Sequence, residues 1–312
     1  MFRNRRERRE ADGAMRVLPG DAFYRARARA EADFWANPAL TTEILEAAHT
    51  GALKRFIDAS YTGDPAKSWM DDLVARGPFA NAAQLGCTEG SREAMWMNAG
   101  GSQRLDVYDL SPAALAKARA FVAHGRGRLR WPDWRLRFFP ADFNFIELPP
   151  ERYDVVWTTG TLHHATNLEY VMEEIARSLR PGGLFALHDY VGECRLCYAE
   201  ERLDWANDVF ARIPRQFRLM DSIEAPNEED KSPFEALRSE ETLDIARSRF
   251  DVVHLAEVDA LFPLLMLVNF AELERREPAL LQMIFDEELK ARAAGLRRCS
   301  AYGVFRKRAA PS

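Results

Sequence analysis

The chain has 312 residues, of which 47% are hydrophobic, and its formal net charge is -5 at pH 7. This length suits one large α/β domain with additions, or two smaller domains. The negative charge argues against a general attraction to nucleic acid, and no apolar run is long enough to span a bilayer. Residues 1–16 are basic without an apolar stretch behind them, so we expect neither a secretory signal nor a membrane anchor.

Cysteine usage indicates a reducing compartment. The four cysteines, Cys87, Cys194, Cys197 and Cys299, are too few and too scattered for a disulfide framework. Cys194 and Cys197 form a single C-x-x-C without a second pair, so we predict no zinc site there. We expect a cytoplasmic protein.

The N-terminal quarter of the sequence predicts a tail followed by helices. Residues 1–20 carry several arginines with Glu7 and Glu10 interleaved, and they predict a flexible basic tail. Residues 21–78 predict a helical extension, with one helix ending before Pro38 and a short helix over "SWMDDLVARG" that Gly77 and Pro78 close.

From residue 79 to 194, strand-like and helix-like segments alternate, which predicts an α/β fold with a doubly wound, mostly parallel sheet. The predicted strands are "FANAAQLG", "RLDVYDL", "WRLRFFPADF", "YDVVWTTG" and "LFALHDYV". Residues 195–247 predict a helical insertion that lies as a lid over the ligand site. Residues 248–312 predict a strand, a long helix and a final antiparallel strand that completes the sheet.

The strand ends carry the residues of a nucleoside site, because ligands of open parallel sheets bind beyond the carboxyl ends of the strands. Gly86 and Gly90 follow the first strand and permit a tight turn. Asp109 ends the second strand, a little over twenty residues after Gly86, where a carboxylate could accept two ribose hydroxyls. Asp142 could accept from an adenine amine while Phe143 packs on the ring. Any one of these residues could serve only a turn or a helix start; the ordered set favours a ligand.

Five segments resemble the successive motifs of class I S-adenosylmethionine-dependent methyltransferases of the small-molecule group: "LGCTEG", "DVYDLSPAALAKAR", "PADF", "YDVVWTTGTLHH" and "IARSLRPGGLFALHD". The resemblance covers about residues 79–192 and implies a seven-stranded Rossmann-like sheet. It implies S-adenosylmethionine as methyl donor and S-adenosylhomocysteine as product. Thr88 departs from the pattern by standing where the usual loop has its middle glycine, and we interpret the loop as a working variant.

The resemblance also implies the part of the donor that each residue contacts. The methionine end would lie against Gly86, Cys87, Gly90 and Thr159, the ribose against Asp109, and the adenine against Leu110, Asp142 and Phe143.

Candidate catalytic residues are His163, His164 and Asp189, just past two strands. Methyl transfer needs mainly alignment of donor and acceptor, and a base only for a hydroxyl or protonated amine. A histidine suits that role, although we expect at least one of the two to be structural. Asp189 could be a base or orient the substrate. A His–Asp metal site lacks further ligands at a recognisable spacing, so no metal is predicted.

Candidate substrate-binding residues are Tyr190, Arg215 and Arg218. The two arginines could bind a carboxylate or phosphate, or could lie on a solvated face. Trp205, Val209 and Ile213 stand at helical spacing and predict a buried helix face.

The sequence thus predicts methyl transfer to oxygen or nitrogen of a small molecule or saccharide precursor. The alternatives are a methyltransferase-like scaffold without catalysis, or a nucleic-acid methyltransferase, which the negative charge disfavours. We expect neither a nucleic-acid partner nor a membrane partner. Residues 260–268, "ALFPLLMLV", are either core or the interface of a homodimer.

Overall fold

The computed structural model describes residues 21–36, 51–87, 89–123 and 135–309. The predicted basic tail, residues 1–20, and the Thr88 departure lie outside the described residues.

Seven strands form one sheet in the order β3-β2-β1-β4-β5-β7-β6. They are β1 Phe79–Leu85, β2 Ser102–Asp109, β3 Leu136–Pro140, β4 Tyr153–Thr159, β5 Leu179–Tyr190, β6 Phe250–Val258 and β7 Ser300–Lys307. The first five are parallel, and β7 runs antiparallel to both β5 and β6. The prediction of a mostly parallel seven-stranded sheet is confirmed. Strand order reverses between β1 and β4, so a crevice opens at their carboxyl ends.

The central strands are apolar along their length because helices cover both faces of the sheet. Consecutive residues of β4 therefore enter different cores. Val156 packs with Phe185 and Ile175 on one face, whereas Val155 and Trp157 pack in the cluster of the other face. All five side chains are fully buried.

The helices are α1 Ala22–Ala36, α2 Gly51–Thr62, α3 Trp69–Ala75, α4 Ser91–Asn98, α5 Pro112–Ala123, α6 Leu168–Ser178, α7 Glu200–Ala211, α8 Thr242–Arg249, α9 Phe262–Leu267, α10 Phe270–Arg276 and α11 Pro278–Ala293. Helix α3 starts at the predicted place because Ser68 and Asp71 form a capping box. Within the described part of the chain, none of these helices combines the length and apolarity that crossing a membrane requires.

Two predicted boundaries were wrong. The single long helix near the C-terminus is three helices, since Asn269 caps α10 and Pro278, which lacks an N–H, starts α11. The strand "LFALHDYV" is predicted to begin at Leu184, but β5 begins at Leu179, directly after α6 ends at Ser178.

The C-terminal helices and the insertion share a separate hydrophobic cluster. Helices α9 to α11 pack there against α7 and α2, and Val209 and Ile213 are buried in it as predicted. Four side chains of the stretch 260–268 are buried in the same cluster: Ala260, Leu261, Leu264 and Val268. These four belong to the core, and a homodimer stays a prediction.

Candidate functional site

A cavity of about 330 Å³ lies at the carboxyl ends of β1, β2 and β4 and beside the turn after β3. It brings together eight of the predicted site residues: Gly86, Cys87, Asp109, Leu110, Asp142, Phe143, Thr159 and His164. Residues from strands far apart in sequence thus meet in one crevice, because parallel strands present their carboxyl ends to the same edge.

The turn after β1 needs glycine at its first position. Gly86 has φ 89°, and a Cβ there would lie 1.9 Å from Thr161 Oγ1, so no other residue fits without displacing the loop after β4. Gly90 also has a positive φ, but it does not border the cavity. A Cβ on Gly90 would lie 2.9 Å from the carbonyl oxygen of Ala118, so this glycine lets α4 approach α5.

Asp109 joins the turn after β1 to the start of α5 at the base of the cavity. One carboxylate oxygen accepts the Cys87 N–H at 2.7 Å and the other accepts the Ser111 N–H at 2.7 Å. Burial raises the pKa of Asp109 to about 6, against the lowering effect of these two hydrogen bonds. Each oxygen retains a lone pair for a ligand hydroxyl.

Asp142 caps the turn after β3 and also binds helix α1. Its carboxylate accepts the Asn144 N–H at 3.0 Å and the Tyr24 hydroxyl at 2.8 and 2.9 Å. Burial raises the pKa of Asp142. The Tyr24 contact was not predicted, because 118 residues separate the two partners.

Helix α1 and the insertion form a roof over the cavity. Glu31 and Trp35 of α1 and Phe234 of the insertion line it. Glu31 accepts the Trp35 indole N–H at 2.7 Å, and from the insertion it accepts the Ser232 hydroxyl at 3.0 Å and the Phe234 N–H at 2.8 Å. The sequence predicts the helix but not these contacts.

His164 borders the cavity, with its Nδ1 atom 3.1 Å from Glu31 Oε1. Burial alone would raise the pKa of Glu31, but the hydrogen bond with His164 and the charge of that ring outweigh burial and lower it.

His163 and Asp189, by contrast, lie behind the cavity wall. His163 Nδ1 is 2.5 Å from Asp189 Oδ1, and the other carboxylate oxygen accepts the N–H groups of Thr161 and Leu162. Burial lowers the pKa of His163, but the adjacent Asp189 carboxylate dominates and raises it to about 9. The pair fixes the loop after β4, so a direct contact of His163 or Asp189 with an acceptor is not what this geometry favours.

None of the three predicted substrate-binding residues borders the cavity. The Tyr190 hydroxyl donates to the Glu193 carbonyl oxygen at 3.1 Å. Arg215 pairs with Asp221, and Arg218 donates to the carbonyl oxygens of Ala211 and Ile213 just past α7, which closes that helix end. Neither arginine borders this cavity, and their role in substrate binding stays a prediction.

Three further charged residues border the cavity: Glu89, Arg92 and Lys117. Arg92 lies in the first turn of α4, directly after the glycine turn, and its position there is the signal that could have identified it. A guanidinium at this place can bind a ligand carboxylate through two parallel hydrogen bonds.

Residues 83–187 match a family described as a methyltransferase domain. This match supports a class I S-adenosylmethionine-dependent methyltransferase. The resemblance of the five motifs is thereby confirmed. The methyltransferase domain covers β1 to β5, and the family's methyl donor is S-adenosylmethionine.

Curated relatives match part of the chain. The malonyl-[acyl-carrier protein] O-methyltransferase of Enterobacter lignolyticus is 30% identical over 119 residues, 37% of this chain and 42% of the relative. The sterol 24-C-methyltransferase of Candida albicans is 36% identical over 91 residues, 29% of this chain and 22% of the relative. The chain therefore spans less than half the length of these curated relatives.

Among solved structures, the fold is similar to a phosphoethanolamine N-methyltransferase of Haemonchus contortus in complex with S-adenosyl-L-methionine. The TM-score is 0.50 at 15% identity, over 89% of this chain and 60% of the other. This likeness concerns the fold.

The cavity of the methyltransferase domain suits an adenosyl sulfonium. The missing side chain at Gly86 leaves a cradle that a Cβ would fill. Two carboxylates, Asp109 and Asp142, flank the apolar side chains of Leu110 and Phe143, as a ribose and a flat base require.

Proposed function

We propose that this chain transfers the methyl group of S-adenosylmethionine to an oxygen or nitrogen of a small molecule or saccharide precursor and releases S-adenosylhomocysteine. The observation that carries the proposal is the single cavity that Gly86, Asp109, Asp142 and Thr159 border together. Of the curated relatives, the malonyl-[acyl-carrier protein] O-methyltransferase supports transfer to oxygen, whereas the sterol 24-C-methyltransferase is named for transfer to carbon.

The donor-binding roles follow from the chemistry of the side chains that border the cavity. Asp109 would accept the ribose hydroxyls through its remaining lone pairs, and Asp142 would accept the adenine amine while Phe143 packs on the ring. Gly86, Cys87, Leu110 and Thr159 would line the rest of the donor. Arg92 would bind the methionine carboxylate.

His164 would serve the acceptor. It borders the cavity, and Glu31 beside Nδ1 orients its ring. A hydroxyl or ammonium acceptor must lose a proton before or during transfer, and an imidazole held by a carboxylate can take it. This is why oxygen or nitrogen is favoured over carbon.

The roof contributes alignment and exclusion of water. Trp35 and Phe234 cover the cavity with aromatic side chains. The Glu31 carboxylate holds both residues in position by accepting the Trp35 indole N–H and the Phe234 backbone N–H. Holding two reactants in line can supply ~7–11 kcal/mol of a barrier, so positioning is the main catalytic contribution expected of these residues.

Titration calorimetry with S-adenosylmethionine and S-adenosylhomocysteine tests the proposal. We expect 1:1 binding, a dissociation constant at least tenfold higher in Asp109→Asn, and no change in Asp244→Asn, an exposed acid on α8. Absence of donor binding in the wild type would favour a scaffold instead.

Transfer of a labelled methyl group to a panel of hydroxyl and amine acceptors tests catalysis itself. His164→Ala should lose turnover while keeping its affinity for the donor. Full turnover in that variant would assign the residue a structural role.

A further inference from the structure

Two adjacent histidines and a glutamate meet beside the cavity. His163 and His164 lie in the turn after β4, and Glu235 comes from the insertion. One nitrogen of each ring and a carboxylate oxygen of Glu235 lie within 4.8 Å of one another. The fold thus supplies the third ligand that the sequence spacing does not reveal.

Each imidazole has a carboxylate at Nδ1. Asp189 Oδ1 is 2.5 Å from His163 Nδ1, and Glu31 Oε1 is 3.1 Å from His164 Nδ1. In the neutral ring, a carboxylate at this position holds the proton on Nδ1 and leaves the lone pair on Nε2, so an ion at His163 displaces the second proton that Asp189 favours. Metal-binding histidines almost always have such a partner on the other ring nitrogen.

The distance between His163 Nε2 and Glu235 Oε1 suits two ligands of one ion. It is 3.5 Å, longer than an ordinary N–H···O hydrogen bond. Two atoms that each lie about 2.0–2.1 Å from a tetrahedral ion are about 3.4 Å apart.

The cluster also has an excess of negative charge. Each of the carboxylates of Asp189, Glu31 and Glu235 lies beside one of the two imidazoles, and Asp189 and Glu31 are buried. The neighbouring cations Arg195 and Lys231 pair with Glu228 instead. A cation among the three carboxylates would offset the cost of burying their charge.

We propose that His163, His164 and Glu235 bind a divalent transition-metal ion of the zinc class. Two imidazole nitrogens and one carboxylate oxygen are ligands of this class, and three protein ligands leave a coordination position open. His164 borders the cavity, so this position would face the acceptor. With the ion bound, the Nε2 lone pair of His164 coordinates it, so the ion in place of the free imidazole would activate the acceptor. That role rests on the proposed function; binding of the ion does not.

Metal titration of the untagged full chain, treated with chelator and dialysed, tests the site. We expect Zn²⁺ to bind 1:1 by calorimetry, and Co²⁺ to give the strong visible absorption of a four-coordinate ion. Glu235→Gln and His164→Gln should each bind at least tenfold more weakly, and Glu224→Gln, an exposed glutamate of the insertion, should bind as the wild type does.

The metal site would be refuted if the wild type bound no stoichiometric ion. In that case the two imidazoles would carry protons in place of a metal ion. It would equally be refuted if affinity were unchanged in both ligand variants. Circular dichroism checks that each variant is folded. The affinity of Glu235→Gln for S-adenosylhomocysteine should match that of the wild type, so failure of the metal site and failure of the donor site give different results.

Discussion

Asp109 combines two tasks in one side chain. Its two hydrogen bonds from backbone N–H groups hold the glycine turn against the start of α5. The remaining lone pairs face the cavity, where the proposed ribose contact would use them. The spacing in the sequence predicts the carboxylate, whereas the burial that shifts its pKa is visible only in the folded chain.

That shift predicts how donor affinity depends on pH. The pKa of Asp109 is raised to about 6, and only the ionised carboxylate can accept from both ribose hydroxyls. The affinity for S-adenosylhomocysteine should therefore be constant above about pH 7 and should fall, by up to about tenfold per pH unit, below pH 6. Calorimetry between pH 5 and 7.5 would measure it.

The matched control for this profile is Asp109→Asn, which should bind weakly with little dependence on pH in that range. Asp142→Asn separates the contribution of the second carboxylate, whose pKa is also raised. A flat profile in the wild type would contradict the assignment of Asp109.

At the scale of elements, α1 shows what a helical pattern does and does not predict. Tyr24, Ala28 and Glu31 form its buried stripe, and Trp35 continues the same face. The periodicity predicts the helix and its buried side. A glutamate within that stripe is the one hint of a polar site, and its partners Ser232 and Phe234 cannot be inferred from spacing.

The hydroxyl of Tyr24 should hold α1 on the cavity. Tyr24→Phe removes its hydrogen bonds to Asp142, so we expect faster amide hydrogen exchange in residues 22–36 and 231–238. Mass spectrometry of exchanged peptides would detect it.

The control for Tyr24→Phe removes an equivalent bond elsewhere. Tyr302→Phe deletes a hydroxyl that donates to Asp72 at 2.9 Å in the core, and it should leave exchange in α1 unchanged. Equal exchange of α1 in all three proteins would show that the Tyr24 contact does not hold the helix.

For the whole molecule, the sequence predicts the sheet but not the contacts between α1 and the insertion that form the roof of the cavity. Parallel strands such as β4 are buried on both faces, so their apolar runs stand out from the amphipathic helices between them. The order of the strands came through the family resemblance rather than from periodicity. The break of the C-terminal helix at Pro278 was visible in the sequence, but the apolar pattern continues across it.

Arg202 joins the insertion to the sheet domain. It is fully buried and donates to the Glu193 carboxylate and to the carbonyl oxygens of Ala260 and Arg297. Arg202→Met should lower the free energy of unfolding by about 3 kcal/mol, because it leaves the partly buried Glu193 carboxylate without its cation and removes the donor to two carbonyl oxygens. Urea denaturation would measure the change.

The double variant Arg202→Met/Glu193→Gln should recover part of that loss, since the unpaired charge is gone. Arg275→Met, which breaks an exposed pair with Glu272 on α10, should change little. An Arg202→Met protein as stable as the wild type would show that the buried pair contributes nothing net.

The roof joins two parts of the described chain that lie far apart in sequence. Glu31 contacts Ser232 and Phe234, which lie 201 and 203 positions further along the chain. Closing so long a loop in an unfolded chain carries a large entropic cost, and a finished sheet between the two ends removes most of it. We therefore expect the sheet to form before α1 and the insertion close over the cavity, so that the last contacts made in folding are those nearest the ligand.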